Sequence, residues 1–155
     1  LLVGFAGAYT DAKYTKNLVD LSVQTGTPGF IVPFDSYPDA PKWSGSVYAD
    51  VTLPVPTDWG NVHLRGDTFS QTSSFFSNNN YSITPGTQIK GYTMVSLRLS
   101  WNEIMGSKVS AGVYAKNLLN RGYYQAGYVE GASGGFNTVI PGEPQTFGAE
   151  LSVKF

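Results

Sequence analysis

From Phe147 to Phe155 the chain alternates without a break. Phe147, Ala149, Leu151, Val153 and Phe155 are apolar, and Gly148, Glu150, Ser152 and Lys154 stand between them. Successive side chains of a strand point to opposite faces, so this pattern predicts a strand with one wholly apolar face and one charged face. Lys108 to Lys116 repeats it, with Val109, Ala111, Val113 and Ala115 against Ser110, Gly112 and Tyr114. Val95, Leu97, Leu99 and Trp101 oppose Met94, Ser96, Arg98 and Ser100. Trp43, Val47, Ala49, Val51 and Leu53 oppose Ser44, Ser46, Tyr48, Asp50 and Thr52. Two weaker segments complete the set. Val62 and Leu64 alternate with His63, Arg65 and Asp67 before fading into Thr and Ser, and Leu1, Val3, Phe5 and Tyr9 alternate with small residues.

These segments run about 9 to 14 residues, against about five or six for strands of soluble proteins and about 9 to 11 for tilted membrane strands. The connections alternate between long (Thr15 to Pro41, Ser74 to Gly91, Leu119 to Gln145) and short (Pro54 to Gly60, Asn102 to Ser107). Membrane barrels of the outer-membrane type have short periplasmic turns and long extracellular loops. The short connections are therefore expected inside, with Phe155 at the periplasmic edge. Trp59, Trp101 and Phe155 then fall at the inner edge, and Tyr9, Trp43, Tyr92 and Phe147 near the outer one, as two interfacial girdles. Asp50, Arg65, Asp67, Arg98, Lys116, Glu150 and Lys154 all lie on the face away from lipid. If Leu53 pairs with Val62, Asp50 falls opposite Arg65, a cross-strand pair contributing roughly 0.2 to 1 kcal/mol.

Composition agrees with an all-β class and narrows the function. The 155 residues include 18 Gly, 9 Pro, 10 Tyr, 9 Phe and 3 Trp with only 14% charged, poor material for helices. A formal net charge of −1 without a basic block gives no footprint for nucleic acid. The absence of Cys removes disulfides, thiolate nucleophiles and Cys-ligated zinc. No apolar run approaches the roughly 20 residues of a membrane-spanning helix, so a spanning structure would have to be a barrel. The single His63 builds no metal site, no carboxylate pair demands acid/base chemistry, and no nucleophile constellation is visible. Neither an enzyme nor a resident cofactor is expected, and His63 is expected in the lumen. Asn80, Tyr81 and Ser82 match a glycosylation sequon by chance.

Six strands are fewer than the about eight of the smallest usual bacterial barrels, and open edges in hydrocarbon are costly. With Leu1 opening inside an alternation and no signal segment in view, the expectation is a C-terminal piece whose remaining strands lie upstream.

Four stretches carry a resemblance to a known family. Tyr114, Ala115, Lys116, Asn117, Leu118, Leu119, Asn120, Arg121, Gly122, Tyr123 and Tyr124 resemble the signature near the end of TonB-dependent outer-membrane receptors. Gly142, Glu143, Pro144, Gln145, Thr146 and Phe147, with the final strand ending in Phe155, resemble their closing pattern, Gln145 standing where Arg is frequent. Ala8 to Tyr14 is similar to the segment preceding a long outer loop, and Pro41, Lys42 and Trp43 to the lead-in of the next strand. The resemblance covers nearly the whole chain.

It implies an antiparallel transmembrane β-barrel fragment, residues 1–155 supplying about six C-terminal strands of a roughly 22-stranded barrel. The implied location is the bacterial outer membrane. A plug domain fills such a barrel and carries the TonB box that couples uptake to the inner-membrane proton gradient; neither lies in this sequence. The implied function is active uptake of a scarce nutrient: a ferric siderophore, cobalamin or an oligosaccharide. Implied partners are outer-membrane lipid, the TonB complex through the absent N-terminal part, the barrel-assembly machinery and a small nutrient ligand. Asn117, Leu118, Asn120, Tyr123 and Tyr124 are expected to cap a strand exit and anchor at the interface. Phe147, Ala149, Leu151, Val153 and Phe155 form the closing strand, similar to the signal read by the assembly machinery. Among the aromatics of the long connections, Phe34, Tyr37, Phe76, Tyr128 and Phe136 are candidate ligand contacts, beside Phe30, Phe75 and Tyr81; packing of the loops against one another is the equal alternative. Two other functions remain open, a passive or structural outer-membrane barrel and a soluble carbohydrate-binding β-sandwich. The sandwich requires shorter strands and a second sheet over the apolar faces.

Overall fold

A computed structural model describes residues 1–15, 18–20, 26–29, 31–33, 37–78, 86–130 and 134–155. In chain order the strands are β1 (Leu2–Tyr9), β2 (Leu18–Asp20), β3 (Ile31–Pro33), β4 (Trp43–Thr52), β5 (Asn61–Gln71) and β6 (Ser74–Phe75). They continue with β7 (Gln88–Ile89), β8 (Tyr92–Asn102), β9 (Val109–Lys116), β10 (Tyr124–Val129), β11 (Asn137–Pro141) and β12 (Thr146–Val153). The six alternating segments are β1, β4, β5, β8, β9 and β12, and they form one six-stranded sheet in that order. Every neighbouring pair is antiparallel.

Register decides whether six amphipathic strands make one amphipathic wall, because a slip of one residue turns a strand's apolar side over. Here the apolar positions align throughout. Val3, Ala49, Gly66, Leu97, Ala115 and Phe147 form one row across all six strands. Val51, Leu64, Leu99, Val113 and Ala149 form the next. On the other face Asp50, Arg65, Arg98, Tyr114 and Gly148 stand in line.

The apolar face is bare. Phe5 is 88% exposed, Leu151 72% and Phe147 68%, and Ile89, outside the wall, is the one buried hydrophobic residue among those described. A soluble sandwich would cover this face with a second sheet. Among the described residues, the other sheets are two-stranded hairpins within the long connections: β2–β3, β6–β7 and β10–β11. The sequence pattern did not reveal these hairpins, whose strands have only two to six residues.

Strand β5 continues for 11 residues, past the point where its alternation fades. Pairing on both sides holds it, and the bare Gly66 is covered by Leu97, whose Cδ2 lies 3.3 Å from where a Cβ would stand. The closing strand stops at Val153, with one further ladder bond from the Lys154 N–H to the Lys108 carbonyl at 3.0 Å. The two short connections contain single 3₁₀ turns, Thr57–Trp59 and Ile104–Gly106. They are joined by the Trp101 indole N–H, which donates to the Trp59 carbonyl at 2.6 Å. Gly60 sits between them at φ 92, where a Cβ would strike the Asn102 and Glu103 carbonyls.

Candidate functional site

Three side-chain contacts join polar groups on the charged face. Asp50 Oδ1 lies 3.1 Å from His63 Nδ1, Arg65 donates to Asp67 at 2.9 Å, and Arg98 pairs with Glu150 across β9. Asp50 does stand opposite Arg65, as the register argument requires, but the two do not form the expected ion pair. The Arg65 guanidinium turns along its own strand to Asp67 and lies over the Tyr48 ring, 4.3 Å from its centroid. Asp50 is left to His63, two residues away on the facing strand. This division also separates Arg65 from Arg98, which stand directly opposite each other and would repel without a carboxylate apiece.

Two tyrosines lie flat along this wall. Tyr48 is paired with Gly4 and Tyr114 with Gly148, and each ring occupies the space a Cβ of its glycine would need. A ring laid over a strand glycine restores the contact the missing side chain forfeits. Gly112 plays a related part, leaving room beside the Arg98–Glu150 pair.

At the long-connection end of β9, the motif residues form a clamp. Asn117 is 2% exposed and adopts φ 48, the left-handed conformation that Asn tolerates better than most residues. Its amide nitrogen donates to the Arg121 carbonyl at 2.9 Å and the Glu143 carbonyl at 3.0 Å, while its oxygen accepts the Arg121 N–H at 2.9 Å. Asn120, also left-handed at φ 49, donates its N–H to the Asn117 carbonyl at 2.8 Å. The Leu118 N–H bonds to the Val95 carbonyl, and the Leu118 carbonyl accepts from Gln145 at 2.8 Å. Both ends of the third long connection are thereby tied together. Gln145, on sequence only a departure from a pattern, is one of the ties.

The aromatic placement needs one correction. Tyr9 and Trp43 meet on the apolar face, their tilted rings 4.6 Å apart between centroids. Tyr92, however, is paired with Gln71 on the polar side, in contact with Phe69 at 6.2 Å and Tyr123 at 4.4 Å. Tyr92 and Tyr123 thus belong to a polar-face cluster and not to a girdle. The parity that puts Met94 on that face already required this of Tyr92. Tyr124, half-exposed, opens β10 opposite Pro141.

The candidate ligand contacts divide. Phe34, like Phe30, Tyr81 and the sequon, lies outside the described residues. Tyr37 lies against Tyr14, their tilted rings 5.3 Å apart between centroids. Phe76 is engaged against Gly127, and Phe136 covers Gly134 of its own turn. Tyr128 is 61% exposed. Phe147, Ala149, Leu151 and Val153 point to the apolar face in register with β9, and Phe155 is fully exposed beyond the strand end. Among the described residues no group of three or more His, Cys, Asp or Glu could hold a metal, and no helix is long and apolar enough to cross a membrane.

A two-faced antiparallel wall with long connections at one end and short turns at the other defines a β-barrel segment. No family model and no curated protein matches the chain. Solved structures do. The ferric yersiniabactin uptake receptor FyuA from Yersinia pestis aligns with a TM-score of 0.63, and the ferric citrate transporter FecA, in its unliganded form, with 0.59. Each is 19% identical, covers 76% of this chain and is itself covered over 17% of its length. The fold is that of a barrel segment in such uptake proteins, which are a receptor and a transporter and not enzymes.

Proposed function

We propose that these residues are the C-terminal wall of a TonB-dependent receptor that takes up a scarce nutrient across the bacterial outer membrane. The observation that carries this is the in-register wall: one face apolar and bare, the other charged, with Arg65–Asp67 and Arg98–Glu150 paired on it. Such a sheet belongs between hydrocarbon and water. The likeness of fold to two uptake proteins, together with the motif residues around Asn117 and the closing strand, favours this family over other barrels. On this reading the apolar face meets lipid, the paired charges face the lumen, and the long connections face outward. The assembly machinery would read the strand ending at Phe155.

The barrel is the static part of the machine. Ligand would bind the outer loops and a plug, and TonB would rearrange the plug inside a wall held rigid by its ladder and its lumenal ion pairs. Tyr128 is the aromatic best placed to touch ligand, and iron chelates lead the substrate classes because both aligned proteins handle one.

The test deletes the gene and follows accumulation of radiolabelled ferric citrate, cobalamin and a malto-oligosaccharide, with and without TonB. The expected result is loss of one of these in the deletion strain and equal loss without TonB. Uptake that persists without TonB would instead identify a passive channel.

A further inference from the structure

The wall has no interior of its own, yet the chain does contain a packed interior, and it lies in the long connections. Ser74, Thr87 and Ile89 are 5%, 0% and 2% exposed, and all three belong to the second long connection. That connection is joined to the third by two different contacts. The Phe76 ring lies against the backbone of Gly127, its nearest carbon 2.7 Å from where a Cβ would be. The Asn137 amide donates to the Gly86 carbonyl at 3.0 Å, and its buried oxygen has no partner. The third connection is also closed at its base by Asn117. Loops that open and close are drawn from segments with few buried contacts. Among the described residues the second connection holds three buried ones, and the third, though largely exposed, is fastened both to it and to its own base.

We propose that the hairpins β6–β7 and β10–β11 form one preformed recognition body, joined at a seam of Phe76, Gly127 and Asn137, so that ligand capture on this side of the mouth involves no closing of one hairpin against the other. The recognition role rests on the uptake-receptor reading above; the seam does not. Because neighbouring residues of a strand face opposite ways, Tyr128 points away from the side on which Phe76 meets Gly127. Phe76 is then a support and Tyr128 the surface. A surface ordered before binding avoids the entropy cost of ordering it at capture.

The test places nitroxide labels at Gln88→Cys and Thr138→Cys, one on each connection, in the full-length protein within outer-membrane vesicles, and measures the distance between them by pulsed electron resonance. The expected result is one narrow distance peak, lost in Phe76→Ala and in Asn137→Ala but retained in Asn137→Gln and Tyr128→Ala. A broad or two-component distribution in the otherwise unaltered protein would overturn the proposal. So would a narrow peak that survives Phe76→Ala and Asn137→Ala combined. If cells carrying the intact gene accumulate none of the three labelled nutrients, the uptake reading fails and the distance measurement still decides the seam.

Discussion

At the residue scale, Asn117 has the most exacting environment in the chain. Its left-handed backbone, near-complete burial and three side-chain hydrogen bonds are met together by an amide and by little else. Replacing it with Ala strands buried polar groups and puts a Cβ-bearing residue without a compensating bond in a strained conformation. The expected loss is about 2–4 kcal/mol, read as a lower temperature at which the full-length barrel stops migrating as a compact species on a detergent gel. Asn117→Asp keeps the acceptor but turns a carboxylate oxygen toward the Arg121 and Glu143 carbonyls in a buried site, so its loss should be at least as large. The sequence singled out Asn117 by resemblance and assigned it a capping role; in the structure it is tied to Arg121 and Glu143 at the end of β9. The sequence did not show that Glu143, far along the chain, is the other half of the clamp. Such a contact depends on how a long connection returns on itself, and no local pattern encodes that. The Arg65 pairing failed for a related reason, since register sets which residues are opposite but not which way a flexible guanidinium turns.

At the scale of elements, the strands were legible almost to the residue because a sheet with one apolar and one charged face imposes a period-two code on every strand in it. β5 was the exception. Gly66, Thr68 and Ser70 interrupt its apolar side, and its neighbours on both sides carry it through. The hairpins of the long connections were invisible because strands of two to six residues are too short for a period-two pattern to stand out. Two predictions belong here. Gly148→Val should prevent proper packing of β12 on β9 by colliding with the Tyr114 ring, and adding Tyr114→Ala should restore much of the folded yield in outer membranes. Leu97→Arg, on the apolar face in the middle of β8, should destabilise the barrel by about 2–4 kcal/mol in lipid vesicles. Ser96→Arg, one residue away on the opposite face, should change stability little; denaturant unfolding measures both.

At the scale of the whole molecule, the absence of a conventional core in the wall is what its apolar rows and paired charges explain together. On the proposed reading, a sheet with aligned apolar rows on one side and the Arg65–Asp67 and Arg98–Glu150 ion pairs beside the Asp50–His63 contact on the other lies between two different media. The most direct test of that claim is accessibility along β12. Single nitroxide labels at each position from 147 to 153 in the full-length protein, reconstituted in lipid vesicles, are relaxed by oxygen from the hydrocarbon side and by a water-soluble nickel chelate from the other. Strict alternation is expected, with oxygen dominant at Phe147, Ala149, Leu151 and Val153 and the nickel chelate at Gly148, Glu150 and Ser152. Equal exposure of both sets to the nickel chelate would contradict it.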